Sequence, residues 1–456
     1  MKHSKQAVRT KAGAIPELRF EDQRLTSFAG LVVVQRFLQV IALKTRLRKC
    51  FRHLAPGKIF DRSALFMQLV IHVLLGYREL RDATHYQDDP LVKRTLELRR
   101  LPDVATISRM LKEVDQPAVD KLRSLVSDLV LERLALLAPR RITLDFDGSV
   151  QSTKRKAEGT AVGFNKRKKG ARSYYPLFCT VAQTGQVLSF LHRSGNVHDS
   201  NGAKQFILDC VRRLRAQLPG VIIEVRMDSA FFSDDLVRTL EIQGVEYTMS
   251  VPFERFAELK QKIERRQRWY SIDADLSFFE TQWKPKSWPR RCRFLMIRTK
   301  AKEQQKGPVQ LDLFKPYKFG YEFQVIVTNK ELGAAAIVAY HHGRGSQENA
   351  FGELKSQCQM DYVPVRRRLG NETYLLASVM AFNLIRELQM QTERPTRRTT
   401  RQRTTLWVFE RVETFRRTTL QRAGRLSSPS GRRVLTFCAG KNLQQRVQHI
   451  LQTLTA

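Results

Sequence analysis

From Phe28 to about Leu137 apolar residues recur at helical spacing, as in Leu31, Val34, Phe37, Leu38 and Ile41, without strand-like alternation. That pattern predicts a helical region. Within it, Leu101 to Leu111 offers Asp103 or Thr106 as a cap ahead of a short helix, after a turn at Asp88-Asp89-Pro90. The arrangement admits a helix-turn-helix or an ordinary helix pair. The pattern changes at Arg141. Arg141 to Asp147 reads as an apolar, β-branched strand, and Tyr174 to Gln183 and Val187 to His192 as a hairpin about Thr184-Gly185-Gln186. Gly202 to Leu218 sets Phe206, Ile207, Cys210, Val211 and Leu214 on one helical face, and Pro219-Gly220 stops it before a strand from Val221 to Met227. Ser233 opens another helix through Gln243, and Val245 to Val251 is a fifth strand.

The order β-β-β-α-β-α-β is that of a ribonuclease-H-like α/β fold, in which acids on the first strand and just after the fourth come side by side. Residues 253–330 interrupt it with a charged helix, Phe253 to Arg266, and strand-like pieces at Leu276 to Trp283, Arg291 to Thr299 and Tyr321 to Thr328. This reads as a mostly β insertion. Glu331 to Tyr340 and Ser346 to Gln357 are helical and return the chain to the core. The expected organisation is a flexible basic N-terminus (1–20), an all-helical domain for DNA binding or assembly (21–138), a ribonuclease-H-like core in two parts (139–252 and 331–390) around the insertion (253–330), and a basic C-terminal tail (391–456). That tail carries 14 Lys plus Arg against 3 Glu. Leu406 to Leu420 within it could be helical, and Arg394 to Arg403 reads as a solvated basic linker.

Charge then narrows the partner. The chain has 80 Lys plus Arg against 44 Asp plus Glu, a net of +36 over 456 residues, combined with 42% hydrophobic residues along the whole length. A folded polycation of this size points to a polyanion, and nucleic acid leads. The longest apolar stretch, Ala64 to Tyr77, contains Gln68 and His72 and falls short of the ~20 residues that cross a bilayer. No membrane association is expected. The basic start has no apolar signal segment behind it, so export is not expected either. Six scattered cysteines suggest neither a zinc site nor a disulfide framework and fit a reducing cytoplasm.

Three acids stand where such a core would bring them together: Asp147 in Leu144-Asp-Phe-Asp147, Asp228 in Arg226-Met-Asp-Ser229, and Glu348 in Arg344-Gly-Ser-Gln-Glu348. A lone Asp at a strand end is most often a turn or cap residue, and a lone helical Glu is usually solvated; the combination carries the reading. Asp145 competes with Asp147, since both lie on one strand face. Asp199, Asp234 and Asp235 are also near, the last two better explained as first-turn helix residues. Phosphodiester cleavage builds charge on two oxygens in line across phosphorus. Two divalent ions roughly 4 Å apart stabilise both, and hard carboxylate ligands hold such ions best. Asp147, Asp228 and Glu348 are the expected ligands, for Mg²⁺ with Mn²⁺ able to substitute. A basic loop follows the first strand and would overhang the acids: Lys154, Arg155 and Lys156, then Lys166, Arg167, Lys168, Lys169 and Arg172. With Phe164, Tyr174 and Tyr175 it could track a DNA backbone and stack a base. Trp269, Trp283 and Trp288 in the insertion read as packing.

These residues resemble a known family. The chain looks like a DDE transposase of bacterial insertion sequences, most closely the insertion sequence 1380 group with kinship to the insertion sequence 4 group, from Leu18 to about Gln389. Those groups carry acids in a Leu-Asp-x-Asp strand, an Arg-x-Asp-Ser-x-Phe element and a Tyr-Arg-Glu-Lys signature. This chain has Leu144-Asp-Phe-Asp147, Arg226-Met-Asp-Ser-Ala-Phe231, and Arg344, Glu348 and Lys355 at the signature spacing. Tyr340 departs from it, separated from Arg344 by three residues in place of two. The resemblance implies that Arg344 and Lys355 hold DNA phosphates beside Glu348. It also implies binding to terminal inverted repeats, cleavage of the element ends, joining to target DNA, and a homodimer or higher oligomer on DNA in the bacterial cytoplasm, associated with the nucleoid. The alternatives are a ribonuclease-H-like nuclease without joining activity, or a catalytically silent DNA-binding protein derived from a transposase.

Overall fold

The computed structural model describes residues 17–455 apart from 19, 164, 166–167, 199, 302–319, 397–405 and 439. After a short strand, β1 (Leu25–Thr26), come the helices α1 (Leu31–Val40), α2 (Leu43–Phe51), α3 (Arg62–Leu74), α4 (Pro90–Thr95), α5 (Val104–Glu113) and α6 (Gln116–Leu137). Three of these helices start on aspartates whose carboxylates accept from first-turn N–H groups: Asp89 from Leu91 and Val92, Asp103 from Thr106, and Asp115 from Ala118. Asp103 rather than Thr106 is therefore the cap of α5.

The sheet region follows with β2 (Arg141–Gly148), β3 (Gln151–Thr153), β4 (Ala161–Val162), β5 (Arg172–Tyr174), β6 (Leu177–Val181), β7 (Val187–Leu191), α7 (Ala203–Gln217), β8 (Ile222–Met227), α8 (Asp234–Ile242) and β9 (Glu246–Ser250). It continues through α9 (Ala257–Glu264), β10 (Tyr270–Ser271), β11 (Leu276–Trp283), β12 (Cys292–Lys300) and β13 (Tyr321–Thr328). Among the described residues nine of these strands, all but β3, β4 and β5, form one mixed sheet of order β10-β11-β12-β13-β9-β8-β2-β6-β7. The pairs β2/β8 and β8/β9 are parallel. The strands of residues 253–330 are not a separate body: β13 pairs antiparallel with β9, Ile326 opposite Ser250, and extends the core sheet. The expected helix from Phe253 to Arg266 is broken at Phe256 into a 3-10 turn and α9.

The chain ends with α10 (Ala334–His342), α11 (Gly345–Gln357), α12 (Arg368–Thr392), α13 (Val412–Phe415), a π-helical turn at Arg416–Leu420, β14 (Gly424–Ser427), β15 (Val434–Phe437) and α14 (Lys441–Thr453). Helix α12 is buried from Gly370 to Met390, and one hydrophobic core takes in α1 to α6, α11, α12 and residues of α13 and α14. The N-terminal helices thus share their core with the end of the chain. β1 pairs with β14, Leu25 opposite Arg425, and closes the same circuit. Arg394 to Arg403 falls largely outside the described residues. No helix among the described residues is long and apolar enough to cross a membrane.

The two faces of the central strands differ. Ile142, Leu144 and Phe146 of β2, Ile223, Val225 and Met227 of β8, and Tyr247 and Met249 of β9 pack with α7 and α8. The alternate residues Thr143, Asp145, Glu224, Arg226 and Thr248 are buried but polar, on the face that α10 covers. β2 is therefore an alternating strand, not a uniformly apolar one. A burial of polar groups this complete requires internal partners. Glu224 receives bonds from Arg141 (2.9 Å), Thr143 (3.0 Å) and Lys330, and His341 of α10 bonds Thr248 (3.0 Å) and Ser250 (2.9 Å).

Candidate active site

The polar face comes to the surface where β2 and β8 end. In their parallel register Asp145 lies opposite Arg226 and Phe146 opposite Met227. One step further, at the strand ends, stand Asp147 and Asp228. Asp228 caps the 3-10 turn Ser229–Phe231, accepting from the Ala230 N–H at 3.0 Å. Asp147 accepts from the Gly148 N–H through Oδ1 at 2.8 Å.

Glu348 arrives from the other side of the sequence. Helices α10 and α11 meet at Gly343, Arg344 is the N-cap of α11, and Glu348 lies in its first turn. Gln347 Nε2 donates to the backbone oxygen of Asp145 at 3.0 Å and so ties the start of α11 to β2. The Arg344 guanidinium stands between two acids: Nη1 is 3.4 Å from Asp147 Oδ2 and Nη2 is 3.7 Å from Glu348 Oε1. The Asp147 side chain is 20% exposed and that of Glu348 65%. Glu348 therefore sits at the open rim and Asp147 in the floor.

Asp145, the competitor of Asp147, is engaged elsewhere. Arg226 Nε donates to its Oδ1 at 2.6 Å and Nη2 to its Oδ2 at 2.7 Å, and both side chains are 1% exposed. Burial pushes the Asp145 carboxyl up and the guanidinium pulls it back; with both oxygens in the Arg226 fork the pair is ionic. The remaining Arg226 nitrogen, Nη1, donates to the Tyr340 carbonyl at 2.9 Å, and the Tyr340 ring lies 5.2 Å from the guanidinium. Tyr340, whose spacing departs from the usual signature, is thus an interior residue. Among the described residues no three His, Cys, Asp or Glu side chains group closely enough to hold a metal ion. Asp147 and Asp228 nevertheless present hard carboxylate oxygens from adjacent strand ends, the donor chemistry of a divalent cation. Arg344 stands between Asp147 and the third acid, Glu348.

The described parts of the basic loop after β2 are built into the fold. Its segments β3, β5 and β4 form a small antiparallel sheet. Arg172 Nε donates to Thr160 Oγ1 at 3.1 Å, and Arg155 donates to the Pro364 carbonyl, so both arginines brace the loop. Lys154, Lys156, Lys168 and Lys169 are exposed; Phe164, Lys166, Arg167 and Asp199 lie outside the described residues. Lys355 is half-buried on α11, seven residues beyond Glu348. Trp283 and Trp288 are buried among Phe232, Phe256 and Phe294. Asp234 and Asp235 occupy the first turn of α8 behind the Ser233 cap. Motif reading includes Arg226 in the Arg-x-Asp-Ser-x-Phe element but gives it no role, and gives none to Gln347; the polar alternation of β2 and β8 is the signal that could have found the role of the first of them.

Among curated proteins none matches the chain in sequence. Among solved structures, a cryo-EM structure of the piggyBac transposase synaptic complex with hairpin DNA aligns at 11% identity over 93% of this chain and 85% of that one, with a TM-score of 0.43. The crystal structure of the Mos1 mariner paired end complex with Mn aligns at 13% identity over 42% of this chain and 60% of that one, with a TM-score of 0.17. Likenesses so distant say nothing about the site. The family described as Transposase DDE domain group 1, in contrast, matches residues 10–456. The chain belongs to the DDE transposases, enzymes that cleave DNA and transfer its strands.

Proposed function

We propose that this transposase binds the terminal inverted repeats of its own insertion sequence, cleaves at the element ends, and joins the freed 3′-hydroxyl to target DNA. In this reading it is a member of the insertion sequence 1380 group acting as a homodimer or higher oligomer in the bacterial cytoplasm, with the nucleoid. DDE transposases generally use divalent metal ions, and the acids that hold them here are Asp147, Asp228 and Glu348. The observation that carries the reading is the β2/β8 register, which runs on from Asp145 opposite Arg226 to the neighbouring strand ends bearing Asp147 and Asp228.

A divalent cation, Mg²⁺ with Mn²⁺ able to replace it, supplies the positive charge that steadies the attacking and leaving oxygens at phosphorus. The remaining work belongs to the chain. Asp147 and Asp228 are fixed by strand ends and local N–H bonds, so they need little reorganisation. Glu348 stands exposed on its helix and would hold the ion with Asp147 and Asp228, while the planar fork of Arg344, which now contacts two carboxylates, would suit a DNA phosphate. Lys355 and the exposed Lys154, Lys156, Lys168 and Lys169, with Lys166 and Arg167 in the same run, meet the DNA backbone. Arg155 and Arg172 act on DNA through the loop they brace. The helices from 21 to 138 serve end recognition and assembly, and the +36 charge supports an extended DNA footprint.

The test is a cleavage and strand-transfer assay in Mg²⁺ on DNA carrying the element's flanking ends. The parent cuts and joins, whereas Asp147→Ala, Asp228→Ala and Glu348→Ala bind the same ends and do neither. A parent that binds without cutting in either metal is a silent DNA-binding protein, and one that cuts without joining is a nuclease; either result overturns the proposal.

A further inference from the structure

We propose that the buried Asp145–Arg226 pair is a positioning device that sets the spacing of the three site acids, not a source of stability for the sheet. The inference rests on the reading of Asp147, Asp228 and Glu348 given above and concerns what holds them in place.

The pair sits directly opposite across β2 and β8. Each member is two residues before a site acid, and side chains two apart share a strand face. A bidentate bond between Asp145 and Arg226 therefore fixes the axial offset of the strands at the point from which Asp147 and Asp228 emerge. The third acid is tied to the same two residues. Arg226 Nη1 donates to the Tyr340 carbonyl in the last turn of α10, and the Asp145 carbonyl accepts from Gln347 at the start of α11. Between these two bonds lies Gly343, where an added Cβ would stand 2.3 Å from Arg226 Nη1. The turn that launches Arg344 and Glu348 is thus moulded directly on the guanidinium. Its φ is −58°, so this glycine is required by the close approach and not by backbone strain.

Energetics point the same way. Burying two charges costs several kcal/mol each in desolvation, and apolar residues of similar volume are often as stabilising or more so. An ion pair 1% exposed on both sides is accordingly weak support for the fold. What apolar substitutes cannot do is hold three directions at once. The planar guanidinium joins β8 to β2 through two nitrogens and to α10 through the third, and lysine could not reproduce that fork. Displacements of about 1 Å in a reacting constellation cost roughly 10²-fold in rate, so a loosened pair damages chemistry before it damages folding.

The experiment compares the parent with Asp145→Leu/Arg226→Met, which removes both charges together, and with Arg226→Lys and Gln347→Leu. Four quantities are measured on the full chain: melting temperature, affinity for end DNA, Mn²⁺ affinity of the DNA-free protein by electron paramagnetic resonance, and steady-state cleavage as kcat and KM. The double variant is expected to melt near the parent and bind end DNA equally well, yet to lose at least 10-fold in Mn²⁺ affinity and about 10²-fold in kcat at unchanged KM. Arg226→Lys recovers only part of that loss. Parent-like Mn²⁺ affinity and kcat in the double variant overturn the inference. Should the double variant not fold, Gln347→Leu decides: it removes one buried tie and leaves a side chain of similar size in its place, and a parent-like kcat there overturns the inference, while a reduced kcat at parent melting temperature supports it. Asp147→Ala is run alongside. If Asp147→Ala still cleaves, the reading of the site acids has failed; if it is dead and the double variant is fully active, only the positioning role has failed.

Discussion

Arg344 carries two roles that a single substitution separates. In the DNA-free protein its guanidinium lies 3.4 Å from Asp147 and 3.7 Å from Glu348, where it competes with any cation those acids would bind. Opposite unit charges at such distances attract by about 1 kcal/mol in water and by more where solvent is partly excluded. Ordering the long side chain takes back part of that, leaving roughly 0.5–1 kcal/mol for each contact. Arg344→Ala should thus strengthen Mn²⁺ binding to the DNA-free protein by about 1–2 kcal/mol, or about 5- to 30-fold. The gain should shrink as salt rises, because Asp147 and Glu348 are both partly exposed and screened. Cleavage should move the opposite way and fall at least 10²-fold, since the phosphate loses its bidentate grip. Mn²⁺ titration followed by electron paramagnetic resonance, paired with single-turnover cleavage of end DNA, reads both effects. Unchanged or weaker Mn²⁺ binding in Arg344→Ala would refute the competition argument, whatever happened to cleavage.

Other expectations follow from the same structure. Arg416 is buried with its guanidinium on three carbonyls, Leu74 (2.8 Å), Val73 (3.2 Å) and Gln357 (2.7 Å), and so staples the C-terminal segment to α3 and α11. Arg416→Ala strands those carbonyls and should cost about 3 kcal/mol in urea unfolding; a loss below about 1 kcal/mol would contradict it. Burial lowers His72 to about 4 and His192 and His341 to about 3. The folded state binds fewer protons than the unfolded one below about pH 6.5, so this stability is intact above that value and fades as pH falls towards 3–4, by about 2 kcal/mol for each histidine at pH 5. A melting temperature flat from pH 7.5 to pH 5 would contradict it. Gly343→Ala should reduce kcat while sparing DNA affinity, because its methyl meets the Arg226 guanidinium at 2.3 Å; wild-type kcat would show that the turn can yield.

Much of the central sheet was legible because its signals are local. Pro219-Gly220 ends α7, Ser233 caps α8, and apolar alternation marks β8, so each element emerged close to its position. The strand ends bearing Asp147 and Asp228 followed from topology, since parallel neighbours deliver consecutive strand termini to one edge. Other features depend on contacts far apart in sequence. The sharing of one core by α3, α12 and the C-terminal segment spans more than three hundred residues, as the Arg416–Leu74 bond illustrates, and no periodicity announces it. The basic loop reads in sequence as a DNA-tracking overhang because lysine and arginine dominate it; Arg172 and Arg155 instead spend donors on a hydroxyl and a backbone carbonyl within the fold, which composition does not announce. Asp147 stands out in sequence only by opening Asp-Gly-Ser at the end of its strand; what removes Asp145 from the site is burial and the guanidinium of Arg226, eighty-one residues away.

The most direct test of the central claim is metal selectivity in Asp147→Cys and Asp228→Cys. A thiolate is a soft ligand that binds Mg²⁺ poorly and accepts Mn²⁺ more readily. If these two residues touch the metal, each variant should be inactive in Mg²⁺ and regain cleavage of end DNA in Mn²⁺, while the corresponding alanine variants stay inactive in both. Equal activity of the cysteine variants in the two metals would contradict direct ligation and with it the account of the site.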